Sequence, residues 1–158
     1  GEFCLTFTEK GKKFYLLPNP VLDGDYSSSF SPEERKTLLE EILPQRELEM
    51  ELVRTAAKVI RDTNNESLKM SIQLDSEFTE TVNDFINSNK DHVFAKKIES
   101  EVTTKIEAYR IAIMGRLSEI GLIRWEIEGE KGRPGFTKSN YFTADEKMML
   151  TLSVPEED

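Results

Sequence analysis

Near the C-terminal end a helical apolar series stops at a glycine and strand-like residues follow at once, and this junction restricts the fold more than any other stretch. Ile106, Tyr109, Ile113, Leu117 and Ile120 recur at helical spacing, which sets them on one inward face of a helix. Gly121 supplies the stop, because glycine accepts the left-handed conformation in which helices commonly end. Leu122 and Ile123 open a strand, Lys131–Gly132–Arg133–Pro134–Gly135 makes a basic tight turn, and Tyr141–Phe142–Thr143 leads a second strand back. The expected order is helix, strand, turn, strand. The chain therefore reverses direction after Ile123 and presents Arg133 at a hairpin apex.

Upstream of this junction the spacing leaves two readings open. Phe94, Ile98 and Val102 continue the apolar series backwards with no proline, and no glycine occurs before Gly115. Glu101 and Lys105 form a favourable i,i+4 pair across the same stretch. One continuous helix of roughly 28 residues would be about 42 Å long. A break at Val102–Thr103–Thr104, with Thr103 as cap, gives two helices instead.

Elsewhere the punctuation is clearer. Pro18, Pro20, Gly24 and the Ser27–Ser29 cluster mark a linker over residues 18–31. Ser31–Pro32–Glu33–Glu34 starts a helix, with serine as cap, proline in the first turn and Glu34 placed to complete a capping box. Leu38, Leu39, Ile42 and Leu43 share its face, and Pro44 kinks or ends it by removing a backbone donor. Leu48, Leu52, Ala56, Val59 and Ile60 resume a helical stripe. Leu68, Met70, Ile72 and Leu74 alternate with polar residues, the pattern of a short half-buried strand. Ser76 is the expected cap of a helix burying Phe78, Val82, Phe85 and Ile86, and Asp91 the expected cap of the next, burying Phe94, Ile98 and Val102.

The series around Gly121 and the Gly132–Arg133–Pro134 turn resembles the recognition helix and wing of the winged-helix family of DNA-binding domains. The likeness is carried mainly by residues 104–143 and extends over roughly 33–150. It implies a mainly α fold with a small β-hairpin, of α+β class. Phe7–Thr8–x–x–x–Lys12 matches Phe142–Thr143–x–x–x–Lys147, and in winged helices a similar pattern closes the wing and starts the next helix. The first copy has the expected glycine at Gly11, whereas the second has Glu146 there. The resemblance implies residues 1–17 as the tail of a preceding module, 18–31 as linker, 32–152 as the winged helix and 153–158 as an acidic tail. A chance match over six positions is the alternative. Gly1–Glu2–Phe3 reads as a cloning remnant, which would make the chain a fragment of a larger regulator or DNA-processing protein.

Charge and composition narrow the chemistry. The 158-residue chain carries a formal charge of −9, which argues against a general nucleic-acid binder. Residues 103–140, however, hold seven Lys/Arg against five Glu, so the acid lies outside the helix and hairpin. No run approaches the roughly 18 apolar residues of a membrane helix. The single cysteine, Cys4, cannot form an internal disulfide, which points to a reducing compartment, cytoplasmic or nuclear. His92 lacks a metal-ligating or nucleophilic partner in the sequence and reads as an exposed helix-start residue. No catalytic residue, metal site or cofactor loop is expected.

Two kinds of site follow. The resemblance implies duplex DNA as partner, with Arg133 in the minor groove and Lys105, Arg110, Lys131 and Lys138 on phosphates; Gly132–Arg133–Pro134 is also similar to the core of minor-groove AT-hook motifs. Against this, Glu126, Glu128 and Glu130 share the hairpin with those cations. The helix's outward face is small and apolar, through Ala108, Ile111, Ala112 and Gly115, and lacks the Arg, Asn, Gln or Lys that usually read bases. That face suits a homodimer or a protein partner. Packing of Ala108 and Gly115 within their own chain is the plainer alternative.

Overall fold

In the computed structural model, residues 6–63, 67–129 and 137–153 are described. Among them the chain is mainly helical with one two-stranded antiparallel sheet, an α+β fold. It divides into two compact units, Gly1–Gln45 and Arg46–Asp158.

Among its described residues the first unit buries few apolar side chains, Leu39 and Leu43. Helix α1 (Glu9–Tyr15) is capped by the Thr8 hydroxyl, which accepts from the Gly11 amide at 3.1 Å, and it contains no buried residue. Helix α2 (Pro32–Thr37) opens with the complete capping box expected at Ser31 and Glu34. Glu34 is buried, and its carboxylate accepts from the Ser31 amide and from Asn19 Nδ2, each at 2.8 Å. The helix then widens into a π-turn over Leu38–Ile42 and tightens into a 3₁₀ turn over Leu43–Gln45. Pro44 explains the change of pitch: it has no N–H to donate and its ring crowds the preceding turn. The Leu43 amide reaches back to the Leu38 carbonyl, and the Gln45 side chain bonds the Glu41 carbonyl.

The second unit is built on α3 (Glu47–Asp62) and α4 (Ser67–Ser88), which pack together. Helix α3 buries Leu48, Leu52, Ala56, Val59 and Ile60 as its spacing requires, and Val53 and Ala57 as well. Seven buried positions on one helix mean that it is covered on more than one side, and α4, α6 and α7 all pack against it.

The strand expected over Leu68–Leu74 does not form; these residues begin α4. Met70, Leu74, Phe78, Val82 and Ile86 recur every four residues and are all buried, whereas Ile72 is 66% exposed. The short alternation was part of a longer helical ladder, and Ser76 lies inside the helix instead of capping one.

The upstream ambiguity resolves into two helices, α5 (Val93–Glu99) and α6 (Val102–Glu119). The break falls at Ser100–Glu101, just ahead of the expected cluster, with Glu101 in a non-helical conformation at φ −123° and ψ −4°. His92 caps α5 in place of Asp91, its Nδ1 accepting from the Phe94 amide at 3.2 Å. Ala95 and Ile98 are buried on α5, while Phe94 is half out of the core with its edge toward Phe85.

At its far end α6 closes in a Schellman motif. The Gly121 amide donates to the Ser118 carbonyl at 3.0 Å and the Leu122 amide to the Leu117 carbonyl at 2.9 Å. Gly121 stands at φ +72°, where an L side chain is disfavoured. Strand β1 (Ile123–Gly129) then pairs antiparallel with β2 (Thr137–Thr143), in register from Ile123 opposite Thr143 to Gly129 opposite Thr137. The expected reversal of direction is therefore present. Helix α7 (Glu146–Ser153) follows, capped by Asp145, whose carboxylate accepts from the Met148 amide. The Leu122 carbonyl accepts from both Ala144 and Asp145, tying the start of β1 to the start of α7.

Both copies of the Phe–Thr pattern precede a helix. Thr8 itself caps α1, whereas Thr143 ends a strand and Asp145 does the capping.

Candidate nucleic-acid interface

The candidate contacts lie on α6 and on the hairpin. Helix α6 buries Val102, Ile106, Ile113, Met114 and Leu117, and Ile120, which caps its C-terminus, is buried as well. Tyr109 is half-buried, and Met114 is an inward residue that the period-based stripe omits.

The three basic side chains of α6 are each engaged. Arg110 is the most enclosed, 15% exposed, with Nε 2.7 Å from Asp75 Oδ1 of α4 and Nη2 3.8 Å from Glu107. Lys105 Nζ lies 2.6 Å from Glu101. That hydrogen bond, then the charge itself, lowers the Glu101 carboxyl below its ordinary value and raises Lys105 above its own. Arg116 reaches Glu49 of α3 at 3.4 Å and Glu119 at 3.7 Å. The basic surplus of residues 103–140 is thus offset in space by carboxylates from outside that segment: Glu49, Asp75 and Glu101.

On the hairpin, Arg124 lies 2.6 Å from Glu126 and 5.0 Å from the centre of the Phe142 ring. Both charged groups are exposed on the side opposite Trp125, as strand alternation requires. Lys138 belongs to β2, where its register partner is Glu128. Lys131 and Arg133 lie outside the described residues, in the segment joining Gly129 to Thr137.

Of the small face of α6, Ala108, Ile111 and Ala112 are exposed, with Ile111 at 48%. Gly115 is half-buried, and a Cβ placed on it would stand 3.9 Å from the Trp125 ring. The C-terminal end of the face is therefore occupied by the chain's own tryptophan. Trp125 stacks in tilted fashion on buried Tyr141 at 5.7 Å, and its buried Nε1–H has no acceptor among the described residues.

The i,i+4 spacing of Glu101 and Lys105 makes their pairing visible in sequence. Nothing local marks Asp75, which sits 35 positions before Arg110. Among the described residues no cluster of His, Cys, Asp or Glu is placed to hold a metal ion, and no helix is long and apolar enough to cross a membrane. Comparison with protein-family models, with curated proteins and with solved structures finds no match to the chain.

Proposed function

We propose that Arg46–Asp158 is a winged-helix module that binds duplex DNA without catalysis, with the hairpin as its principal contact. The observation that carries this reading is the order and closure of elements: α6, the Gly121 turn, antiparallel β1 and β2, then α7. That topology makes Lys131 and Arg133 part of the connection between two paired strands. Arginine suits the narrow minor groove, where negative potential is concentrated, and lysine suits phosphate. Lys105 and Arg110 are weaker candidates than their sequence positions imply, because each must first leave a carboxylate. The lone cysteine fits a reducing compartment, cytoplasm or nucleus.

Fluorescence anisotropy with a labelled duplex at low salt tests the proposal. Arg133→Ala weakens binding, and Lys131→Ala lowers the salt slope by about one. No binding of the unmodified chain at low salt removes the proposal.

A second reading, a homodimer or protein partner seated on α6, is favoured by the exposure of Ala108, Ile111 and Ala112. Under it, Ala108→Arg breaks an assembly seen by sedimentation while leaving the fold intact. A monomeric mass together with an unchanged Ala108→Arg profile rejects it.

A further inference from the structure

Helix α6 occupies the place in the fold where a reading helix is expected, yet its surface is not built for reading. Its outward stripe begins at Thr104 and continues through Ala108 and Ile111, all exposed. Neither Ala108 nor Ile111 has a hydrogen-bonding side chain, and the Thr104 hydroxyl donates to the Glu101 carbonyl at 2.9 Å, which leaves it only as an acceptor. Base edges in the major groove are distinguished by donors and acceptors, and this stripe offers them almost none. Two carboxylates flank it, Glu107 at 76% and Glu119 at 56% exposure. A groove lined by phosphates would bring like charges close to both. Arg110 and Arg116, 3.8 and 3.7 Å from those two carboxylates, are shared with the nearer Asp75 and Glu49, and Lys105 is held by Glu101, so no cation of α6 is left over for phosphate among the described residues.

We infer that α6 stays out of the major groove and that duplex binding by this module is independent of major-groove sequence. This inference rests on the DNA-binding reading above and specifies its mode. Recognition helices normally insert their N-terminal residues among base edges; at this N-terminus stand the Glu101 carboxylate and its lysine. Affinity then comes from backbone and shape contacts made elsewhere on the module, which carry little sequence information.

The test uses the full chain and a mixed-sequence duplex in anisotropy at low salt, with the double variant Glu107→Gln/Glu119→Gln. Both side chains are exposed and the replacements are isosteric, so the variant keeps its fold, checked by circular dichroism. If α6 is outside the groove, removing the two carboxylates changes affinity by less than about threefold, and the major-groove ligand methyl green fails to displace the protein. A larger gain, or displacement by methyl green, overturns the inference while leaving DNA binding standing. Absence of any binding by the unmodified chain removes the DNA-binding reading and this inference with it.

Discussion

Alanine at Gly115 and alanine at Gly121 should shift stability in opposite directions, although the two glycines are less than two helical turns apart in the chain. Gly121 holds φ +72° at the end of α6. An L residue there costs ~1–2 kcal/mol, partly offset because alanine has fewer unfolded conformations to lose. The net loss is about 1 kcal/mol. Gly115 lies inside α6, where glycine is less favourable than alanine by about 0.8–1.0 kcal/mol. The added methyl meets the Trp125 ring at 3.9 Å, an ordinary contact. Gly115→Ala therefore gains up to about 1 kcal/mol, and the two variants differ by about 2 kcal/mol. Urea unfolding followed by the fluorescence of Trp125, the chain's single tryptophan, measures both. A Gly121→Ala chain as stable as the parent would refute the assignment of the helix stop to that backbone conformation. A destabilised Gly115→Ala chain would refute the fit of a methyl beneath the indole.

The Arg110–Asp75 pair should show a coupling of about 1 kcal/mol in a double-mutant cycle to alanine, shrinking with added salt; zero coupling at low salt would mean the contact does not join α6 to α4. Glu101 should titrate below an ordinary glutamate, because Lys105 donates to its carboxylate. Its contribution to the start of α6 is complete above the ordinary carboxylate range and is lost as pH falls through the lowered value; that of Lys105 is lost only as pH rises past its raised value. Carboxyl carbon shifts with and without Lys105→Met check this, and an unmoved midpoint defeats it. Phe78→Ala, deep in α4, should cost about 3–5 kcal/mol, whereas Ile72→Ser should fall within about 0.5 kcal/mol of neutral. Equal costs at the two positions would contradict the helical face on which Phe78 is inward and Ile72 outward.

What could be read in advance was whatever the backbone enforces locally. The Ser31 capping box, the distortion at Pro44 and the stop at Gly121 each follow from one residue's conformational or hydrogen-bonding limits, and each is present in the structure. The strand expected over 68–74 failed because four alternating positions fit two periods at once, and only continuation through Phe78, Val82 and Ile86 separates them. The break before α6 carries no glycine or proline, so its position at Glu101 depended on how α5 and α6 each pack on α4. Least legible was the state of the cations. The basic surplus of residues 103–140 in sequence became a compensated one along α6 in space, because Glu49 and Asp75 arrive from distant positions along the chain.

One residue, Leu122, fastens both feet of the hairpin: its amide is held by α6, and its carbonyl accepts from Ala144 and Asp145, the two residues between β2 and α7. The two strands therefore share a footing at one residue, held through the peptide groups on either side of it. Displacing Leu122 would disturb the bases of both strands at once instead of loosening one and leaving its neighbour in place.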